Sequence, residues 1–257
     1  MTNTTSIPRL LDNRLAFITG AGQGNGREIA IGLHKAGARV VVTDVNEAMV
    51  NETADLISKD LGEAWAFKLD VTQAEACQAL ARRIGAEIGQ IDLLVNNAGI
   101  IIREGSDSPN AARNWQRTMD VNVNGTFNVT QAFLPAVRAK RGTIVNVASI
   151  AGYAGQGGSL GYSPSKGAIR LYTQSLAAEL AKDGVRVNAL APGVIETPMT
   201  AATRDNPERL EKFMSRIPMG RVGQPDELVG PVVFLSSHLS TYVTGVTLAV
   251  DGGFLAI

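Results

Sequence analysis

The sequence predicts an α/β protein: a single-domain, doubly wound parallel sheet of about seven strands with helices on both faces. Short apolar runs alternate with longer segments of helical periodicity, and no linker or internal repeat interrupts them. Apolar strands joined by long helical crossovers form parallel sheets that are covered on both sides. A chain of 257 residues with 45% hydrophobic content can bury about three quarters of its unfolded surface, so one domain over 1–257 is expected.

The predicted elements follow one another in order. Seven apolar runs are predicted to be strands, at 15–19, 39–44, 64–69, 91–96, 142–148, 185–190 and 246–250. A first helical pattern ends at Gly37, and further helices are predicted at 46–60, 73–88, 113–139 and 162–182. Pro135 is expected to kink or end its helix. The charged segment 192–223 has no strand pattern, which is typical of a substrate lid or of a capping helix pair.

Composition and charge restrict the classes of partner. The 24 basic and 24 acidic residues balance and form no basic run, which argues against binding to nucleic acid or a membrane surface. The single cysteine, Cys77, cannot form an internal disulfide, and without a signal peptide or long apolar span a cytoplasmic location is expected. The two histidines, His34 and His238, lie far apart in sequence, so no metal site is expected.

A glycine-rich segment at 20–26 connects the first strand to the first helix. Glycines there let backbone N–H groups approach a diphosphate at the positive end of the helix dipole. The second strand ends in Asp44, 18 residues after Gly26. A carboxylate at this place suits the 2′-hydroxyl of an NAD ribose and would repel the 2′-phosphate of NADP. The segment therefore predicts a dinucleotide site.

Tyr162 and Lys166 are four residues apart on a predicted helix, which puts a phenol and an ammonium on the same face. A phenol titrates near pH ~10, too high for a useful base at neutral pH. A neighbouring cation, and the positive charge of an oxidised nicotinamide ring, would favour the phenolate. The pair is therefore expected to perform general acid–base chemistry.

With these motifs the chain resembles the short-chain dehydrogenase/reductase family over nearly its whole length. The glycine segment after Thr19, the run 96–99 and the turn 192–197 match family motifs in family order. The spacing of the glycines, Gly-x-x-x-Gly-x-Gly, is the family's variant of the more common dinucleotide fingerprint. One departure is Asn25, where the family usually has an apolar residue. The catalytic tetrad that the resemblance implies is Asn122, Ser149, Tyr162 and Lys166.

The resemblance also implies what these residues do. Tyr162 would exchange the alcohol proton, Lys166 would lower the pKa of Tyr162 and bind the nicotinamide ribose, and Ser149 would hold the substrate oxygen. Asn122 would hold a water or make only a helix-kinking hydrogen bond, and Asp70 would contact adenine or cap the next helix. The implied cofactor-binding residues are Gly20, Gln23, Gly24, Asn25, Gly26, Asp44, Asp70, Val71, Asn97, Ala98, Gly99, Tyr162, Lys166, Pro192, Gly193, Ile195 and Thr197.

The expected cofactor is NAD rather than NADP. Relatives that use NADP tend to carry Arg or Lys in the glycine loop or just after the second strand. This chain has Gln23 and Val45 there. Without a cation, a ribose phosphate would face the carboxylate of Asp44 uncompensated.

The expected substrate is a secondary alcohol or its ketone, with a polyol, sugar derivative or diol favoured. The segment 97–103 resembles that of sugar-acid and polyol dehydrogenases, and Arg103 would meet a substrate anion or remain solvated. Predicted substrate contacts, besides the catalytic Ser149 and Tyr162, are Tyr153, Gln156, Val194 and Met199. A 3-oxoacyl reductase and a non-catalytic NAD-sensing regulator remain alternatives.

The resemblance further implies a homotetramer or homodimer. Family members commonly pair the helices that match 113–139 and 162–182. The small-residue run 245–253 and the apolar tail 254–257 suit a second interface.

Overall fold

A seven-stranded parallel sheet forms the centre of the protein, whose computed structural model describes residues 8–60 and 62–257. The strand order is β3-β2-β1-β4-β5-β6-β7. This confirms the predicted fold class. The strands are β1 (Leu15–Thr19), β2 (Arg39–Asp44), β3 (Ala64–Lys68), β4 (Leu93–Asn96), β5 (Thr143–Val147), β6 (Arg186–Pro192) and β7 (Thr247–Val250).

Helices connect the strands and cover both faces of the sheet. They are α1 (Gly24–Lys35), α2 (Glu47–Asp60), α3 (Ala74–Glu87), α4 (Ala111–Met119), α5 (Gly125–Ala139), α6 (Tyr162–Leu180), α7 (Ala201–Arg204), α8 (Pro207–Met214) and α9 (Val229–Ser236). Gly37, with φ +102°, follows α1 at the predicted helix end. The segment 192–223 contains α7 and α8, and Ile195 and Gly223 form a single bridge near its ends. Its role as a lid stays a prediction.

The structure corrects the helix predicted at 113–139. A π-helical turn at Asp120–Asn124 separates α4 from α5. Pro135 does not end the helix, because α5 continues to Ala139. Periodicity alone could not locate the interruption, because a π turn keeps the chain helical while adding one residue to the turn.

Alternate residues of each strand enter two separate cores, as expected for a sheet that is covered on both sides. In β1, Ala16 and Ile18 pack with the cluster that contains side chains of α1, α2 and α9. Leu15 and Phe17 pack with side chains of α3, α5 and α6 on the other face. Cys77 is buried in this second cluster, where burial raises its pKa to about 11 and makes it a packing residue.

The strand order reverses between β1 and β4, which are neighbours in the sheet although two strands separate them in sequence. Crossovers on the two sides of this point diverge and leave a crevice at the carboxyl ends of the strands. Within residues 8–60 and 62–257, no helix is long and apolar enough to cross a membrane.

Candidate active site

A cleft of about 1180 Å³ opens at the carboxyl ends of β1, β2 and β4. It lies where open parallel sheets bind their ligands. The structure brings together here twelve of the residues predicted to bind the cofactor, together with Met199 from the predicted substrate set. The twelve are Gly20, Gln23, Gly24, Asn25, Gly26, Asp44, Asp70, Val71, Asn97, Ala98, Gly99 and Thr197.

The glycine segment turns sharply into α1. Gly20 has a φ of +63° and Gly24 a φ of +53°, which residues with a side chain rarely adopt. A Cβ atom at Gly26 would lie 2.1 Å from the carbonyl oxygen of Gly20. The turn therefore needs glycine at these positions, and the first N–H groups of α1 are left facing the cleft.

Thr19 joins the glycine segment to the run 96–99. Its Oγ1 accepts hydrogen bonds from the backbone N–H groups of Asn97 and Ala98, each at 3.0 Å. In return, the Asn97 side chain donates to the carbonyl oxygens of Thr19 and Gly20 at 3.0 and 2.9 Å. Four hydrogen bonds thus hold the ends of β1 and β4 in one fixed arrangement on the floor of the cleft.

Asp44 is held by backbone donors at the end of β2. Its two carboxylate oxygens accept from the N–H of Gly22 at 3.0 Å and from the N–H of Asn46 at 2.9 Å. Asp44 is partly exposed at the cleft. Each oxygen keeps a further lone pair, so the carboxylate can still accept a hydrogen bond from a ligand hydroxyl.

Asn122 is buried within the π-helical turn and bridges three elements. Its Oδ1 accepts from the N–H of Ile100 at 2.8 Å, and its Nδ2 donates to the carbonyl of Ile100 at 3.0 Å and to Ser165 at 2.9 Å. The side chain therefore locks the segment after β4 to α6. Two roles were predicted for Asn122, a structural hydrogen bond and the binding of a water. The hydrogen bonds observed here are structural, and the binding of a water stays a prediction.

Tyr162 and Lys166 lie one turn apart at the start of α6, as predicted. Lys166 is buried, and its Nζ lies 5.8 Å from the centroid of the Tyr162 ring. The same Nζ donates to the carbonyl oxygen of Val147 at 2.7 Å. A Cβ atom at Gly99 would lie 3.4 Å from Nζ and 3.3 Å from Oδ1 of Asn122, so both polar groups lie close behind Gly99 in the cleft wall.

Burial dominates the titration of both groups. It raises the pKa of Tyr162 above its ordinary value, while a hydrogen bond with Ser149 and the charge of Arg103 act in the opposite direction. Burial also lowers the pKa of Lys166 to about 8. In the protein alone, the charge of Arg103 lowers the pKa of Tyr162, whereas Lys166 was expected to lower it.

Comparisons with known proteins agree with this site. A family model described as enoyl-(acyl carrier protein) reductase matches residues 20–255. The 2-dehydro-3-deoxy-D-gluconate 5-dehydrogenase of Bacillus subtilis is 42% identical over 250 residues, covering 96% of both chains. The galactitol 2-dehydrogenase (L-tagatose-forming) of Cereibacter sphaeroides is 41% identical over 250 residues, covering 95% of this chain and 96% of its own. Similar proteins also include 3-oxoacyl-[acyl-carrier-protein] reductases.

A solved structure supports the same conclusion. The gluconate 5-dehydrogenase of Burkholderia cenocepacia, in complex with NADP and tartrate, superposes with a TM-score of 0.92 at 37% identity and 98% coverage of both chains. The chain belongs to the short-chain dehydrogenase/reductase family. It is an oxidoreductase with a single-domain fold of the Rossmann type, and the resemblance drawn from its motifs is confirmed.

A nicotinamide dinucleotide, the cofactor of this family, fits the residues of this oxidoreductase. The glycine turn presents N–H groups for a diphosphate, and Asp44 presents a carboxylate for a ribose. Asn25 adds a buried Oδ1 that has no hydrogen-bond partner among the described residues. Across residues 8–60 and 62–257, no cluster of His, Cys, Asp or Glu could hold a metal ion.

The oxidoreductase holds Asp70 in an Asx-like turn rather than at a helix cap. Its Oδ1 accepts from the N–H and the hydroxyl of Thr72 at 3.0 and 2.8 Å. The N-cap of α3 is Gln73, so the capping role that was left open for Asp70 is wrong. Asp70 lines the cleft instead, where an adenine contact stays a prediction.

Two residues of the predicted substrate set have other contacts in the structure. The Tyr153 hydroxyl donates to the carbonyl of Thr247, at the start of β7, and Arg170 lies 4.4 Å from the centroid of its ring. Val194 is buried and lines a separate cavity of about 300 Å³. The loop after Ser149 turns Tyr153 toward β7, and substrate contacts of Tyr153 and Val194 stay predictions. The backbone N–H of Gln156 donates to Ser163, within the first turn of α6.

The turn after β6 is packed against neighbouring segments of the oxidoreductase. A Cβ atom at Gly193 would lie 2.8 Å from the backbone of Asp251, so this position accepts only glycine. Ile195 lines the smaller cavity with Val194. Pro192 is the last residue of β6. Cofactor contacts of these residues stay predictions, whereas Thr197 does line the main cleft.

One wall of the cleft, formed by α4 and the π turn, was not predicted from the sequence. Its polar members include Arg113, Gln116, Arg117 and Asp120, with Asn124 at the end of the turn. Their spacing of three and four residues places them on one helix face, and that pattern could have predicted a polar wall. Val121 and Ile100 also line the cleft. No local pattern predicts them, because their place depends on the packing of α4 against the sheet.

Proposed function

We propose that the protein is an NAD-dependent dehydrogenase that interconverts a secondary alcohol and its ketone, with Tyr162 as general acid and base. The observation that carries the proposal is that Tyr162, Ser149 and Lys166 lie together, with Lys166 directly behind Gly99 in the wall of a cleft of about 1180 Å³. The favoured substrate is a small polyol or sugar acid. A non-catalytic NAD sensor would have no need for this constellation, because binding alone uses neither the phenol nor the ammonium.

Each side chain has a role in this reaction. The nicotinamide, when bound, supplies hydride transfer at the carbinol carbon. Tyr162 takes the alcohol proton during oxidation and returns it during reduction. Ser149, buried beside Tyr162, holds the substrate oxygen within reach of the phenol. Lys166 binds the ribose and adds positive charge beneath the phenol ring.

Asp44 supports NAD as the cofactor. A 2′-phosphate at the end of β2 would face a carboxylate, whereas a ribose hydroxyl would donate to it. The Burkholderia relative binds NADP, and Arg113 and Arg117 put cations on the opposite wall of the cleft, so this choice needs a direct test. The ratio of kcat/KM for NAD to that for NADP should be at least about tenfold, and Asp44→Ala should narrow it. Equal use of both cofactors by the unmodified protein would contradict the proposal.

Arg103 supports a substrate with an acid group. Its guanidinium donates to the carbonyl oxygen of Met199 at 3.0 Å, so it spans from the β4 side of the cleft to the predicted lid. Burial and the charge of Arg209 lower the pKa of Arg103, and the phenol of Tyr162 raises it. A cation is thus placed between the lid and the general base. This placement suits the carboxylate of a sugar acid, the class on which the Bacillus relative acts.

A matched substrate series tests the substrate class. We would compare kcat/KM for an aldonic acid, a polyol, a 1,2-diol, a simple 2-alkanol and a 3-oxoacyl thioester in the reductive direction. The kcat/KM for the aldonic acid or the polyol should exceed that for the 2-alkanol by more than about tenfold. The alkanol lacks the hydroxyl groups that buried polar groups of the site would bind, and its transition state is therefore less well stabilised. Arg103→Gln should lower the ratio of kcat/KM for the aldonic acid to kcat/KM for the polyol. The control variant is Lys212→Gln, which replaces an exposed lysine of α8. Preference for the thioester would favour a 3-oxoacyl reductase.

We also propose that the protein assembles as a homodimer or homotetramer. Phe127 of α5 and Leu171 of α6 are half exposed, and the Tyr172 ring lies 6.3 Å from that of Phe127. Tyr242 and Ile257 leave a second apolar area exposed near the C-terminus. Light scattering should give a mass of two or four chains, and Phe127→Glu with Leu171→Glu should reduce it. A wild-type monomer at micromolar concentration would contradict this proposal.

A further inference from the structure

Ser165 is buried in the first turn of α6, three residues after Tyr162. It is not one of the four residues of the predicted tetrad, yet its hydroxyl contacts two of them. Nδ2 of Asn122 lies 2.9 Å from Oγ of Ser165, and the same Oγ lies 2.7 Å from the carbonyl oxygen of Tyr162. The hydroxyl of Ser165 therefore connects Asn122 to the backbone of Tyr162.

The direction of both hydrogen bonds follows from the contacts of Asn122 with Ile100. The backbone N–H of Ile100 donates to Oδ1 of Asn122, and the carbonyl oxygen of Ile100 accepts from Nδ2. The reversed amide would bring donor against donor and acceptor against acceptor, so Nδ2 is the group that faces Ser165. Because an amide N–H can only donate, Oγ of Ser165 accepts, and its own proton is directed to the carbonyl of Tyr162.

These bonds join Tyr162 to the floor of the cleft. Ile100 follows the run 97–99 after β4 and lines the cleft together with it. Asn97 and Ala98 of that run are themselves bonded to Thr19 at the end of β1. A ligand that lies on this floor and the residue that carries the phenol are therefore held by the same framework.

The start of α6 lacks a side-chain cap. Its N-cap residue is Gly161, which has no side chain to accept from the first N–H groups of the helix. Tyr162 is the first residue of α6, so a movement of this turn would move the phenol directly. The bond from Ser165 restrains the turn from inside the helix, where a cap would have restrained it from outside.

We propose that Ser165 is a positioning residue for Tyr162, which it holds in the place that proton transfer with the bound substrate requires. The role rests on the proposed function. A serine hydroxyl that bonds to a carbonyl one turn earlier is common in helices and has no functional meaning by itself. The second bond, from Asn122, is what ties the turn of Tyr162 to the cleft floor.

Ser165→Ala tests this role, and Thr173→Val is its matched control. Thr173 is also buried on α6, where its hydroxyl accepts from Nδ2 of Asn146 at 2.9 Å and donates to the carbonyl of Ile169 at 2.8 Å. It makes the same pair of bonds as Ser165, but about three turns beyond Tyr162. The control therefore loses the same chemistry without a connection to the phenol.

In Ser165→Ala, kcat for alcohol oxidation should fall about tenfold, because a small displacement of the phenol raises the barrier to proton transfer. The Kd for NAD⁺, from calorimetric titration, and the KM for the alcohol should stay within about twofold, because no group that binds either ligand is removed. Thr173→Val should lower the urea midpoint by a similar amount as Ser165→Ala, since each leaves a buried amide donor unpaired. Its kcat should nevertheless stay within about twofold of the wild type.

Asn122→Leu completes a double-mutant cycle with Ser165→Ala. Without Nδ2, the hydroxyl of Ser165 no longer ties Tyr162 to the cleft floor. Adding Ser165→Ala to Asn122→Leu should therefore change kcat by less than about twofold. Should Asn122→Leu not fold, the comparison of Ser165→Ala with Thr173→Val decides alone.

The proposal is overturned if Ser165→Ala keeps the kcat of the wild type, or if Thr173→Val lowers kcat equally. It is also overturned if the effects of Ser165→Ala and Asn122→Leu on kcat multiply, because the two residues would then act independently. A wild type that oxidises no alcohol with NAD⁺ would instead overturn the proposed function, and the role of Ser165 with it.

Discussion

Lys166 donates a hydrogen bond to the carbonyl oxygen of Val147, with 2.7 Å between the two atoms. Val147 is the last residue of β5, and Lys166 lies on α6, where it also approaches the ring of Tyr162. The end of the strand therefore sets the position of the cation relative to the phenol. A group that must stabilise a proton-transfer transition state gains from such fixed placement, because little reorganisation is needed when the proton moves.

Replacing Tyr162 by phenylalanine should lower kcat by about 10²–10⁴ while NAD still binds. The change keeps the ring and its packing but removes the exchangeable proton. Steady-state kinetics and calorimetric titration with NAD measure the two effects. Tyr172→Phe on the same helix is the control and should keep its turnover. Near-normal turnover in Tyr162→Phe would contradict the catalytic assignment.

The phenolate of Tyr162 should form at a lower pH in the NAD⁺ complex than in the protein alone. Burial raises the pKa of Tyr162 in the protein alone, so the phenol keeps its proton to higher pH. The positive nicotinamide ring favours the phenolate and should shift the titration downward. Ultraviolet difference spectra of the wild type minus Tyr162→Phe, with and without NAD⁺, isolate this one phenol. Identical midpoints in the two titrations would show that the cofactor does not activate the tyrosine.

Lys166 should make the protein more stable at alkaline pH than at neutral pH. Burial lowers its pKa from 10.5 to about 8, so between these values the unfolded chain binds a proton that the folded chain does not. The free energy of unfolding then rises with pH across that window. From about pH 7.5 to about pH 10, the wild type should gain about 2 kcal/mol over Lys166→Met. Urea titrations measure this difference.

The control for this pH dependence is Lys182→Met, which replaces an exposed lysine just beyond α6. Its difference in unfolding free energy from the wild type should stay constant over the same range. A constant difference for Lys166→Met as well would mean that Lys166 remains protonated in the folded protein.

Thr19→Val should weaken NAD binding as well as stability. The change leaves the N–H groups of Asn97 and Ala98 without their acceptor on the floor of the cleft. Thr43→Val at the end of β2 also removes a buried hydroxyl, one that donates to the carbonyl of Ile18 at 3.1 Å. Both variants should lose about 1–3 kcal/mol of unfolding free energy. Only Thr19→Val should raise the Kd for NAD. An equal change of Kd in the two variants would contradict a role of Thr19 in NAD binding.

Local pattern was sufficient for the fold and for the shared helix of Tyr162 and Lys166. Short apolar runs predicted all seven strands, because a strand buried on both faces must be apolar throughout. The spacing of Tyr162 and Lys166 predicted a shared helix face, because the helical period relates residues four apart without reference to the rest of the chain. The glycine segment could also be recognised from the sequence, because a backbone turn with positive φ favours glycine directly.

Contacts between distant segments were decided only by the tertiary structure. The hydroxyl of Tyr153 bonds to Thr247, 94 residues away, so its polar tip could not be assigned from its closeness to Ser149 in sequence. The pKa of Tyr162 is raised because the assembled core excludes water from the phenol, and Arg103 counteracts this only because the segment after β4 passes close to α6. Burial and charge proximity are sums over surrounding atoms, and those atoms become neighbours only when the sheet has formed.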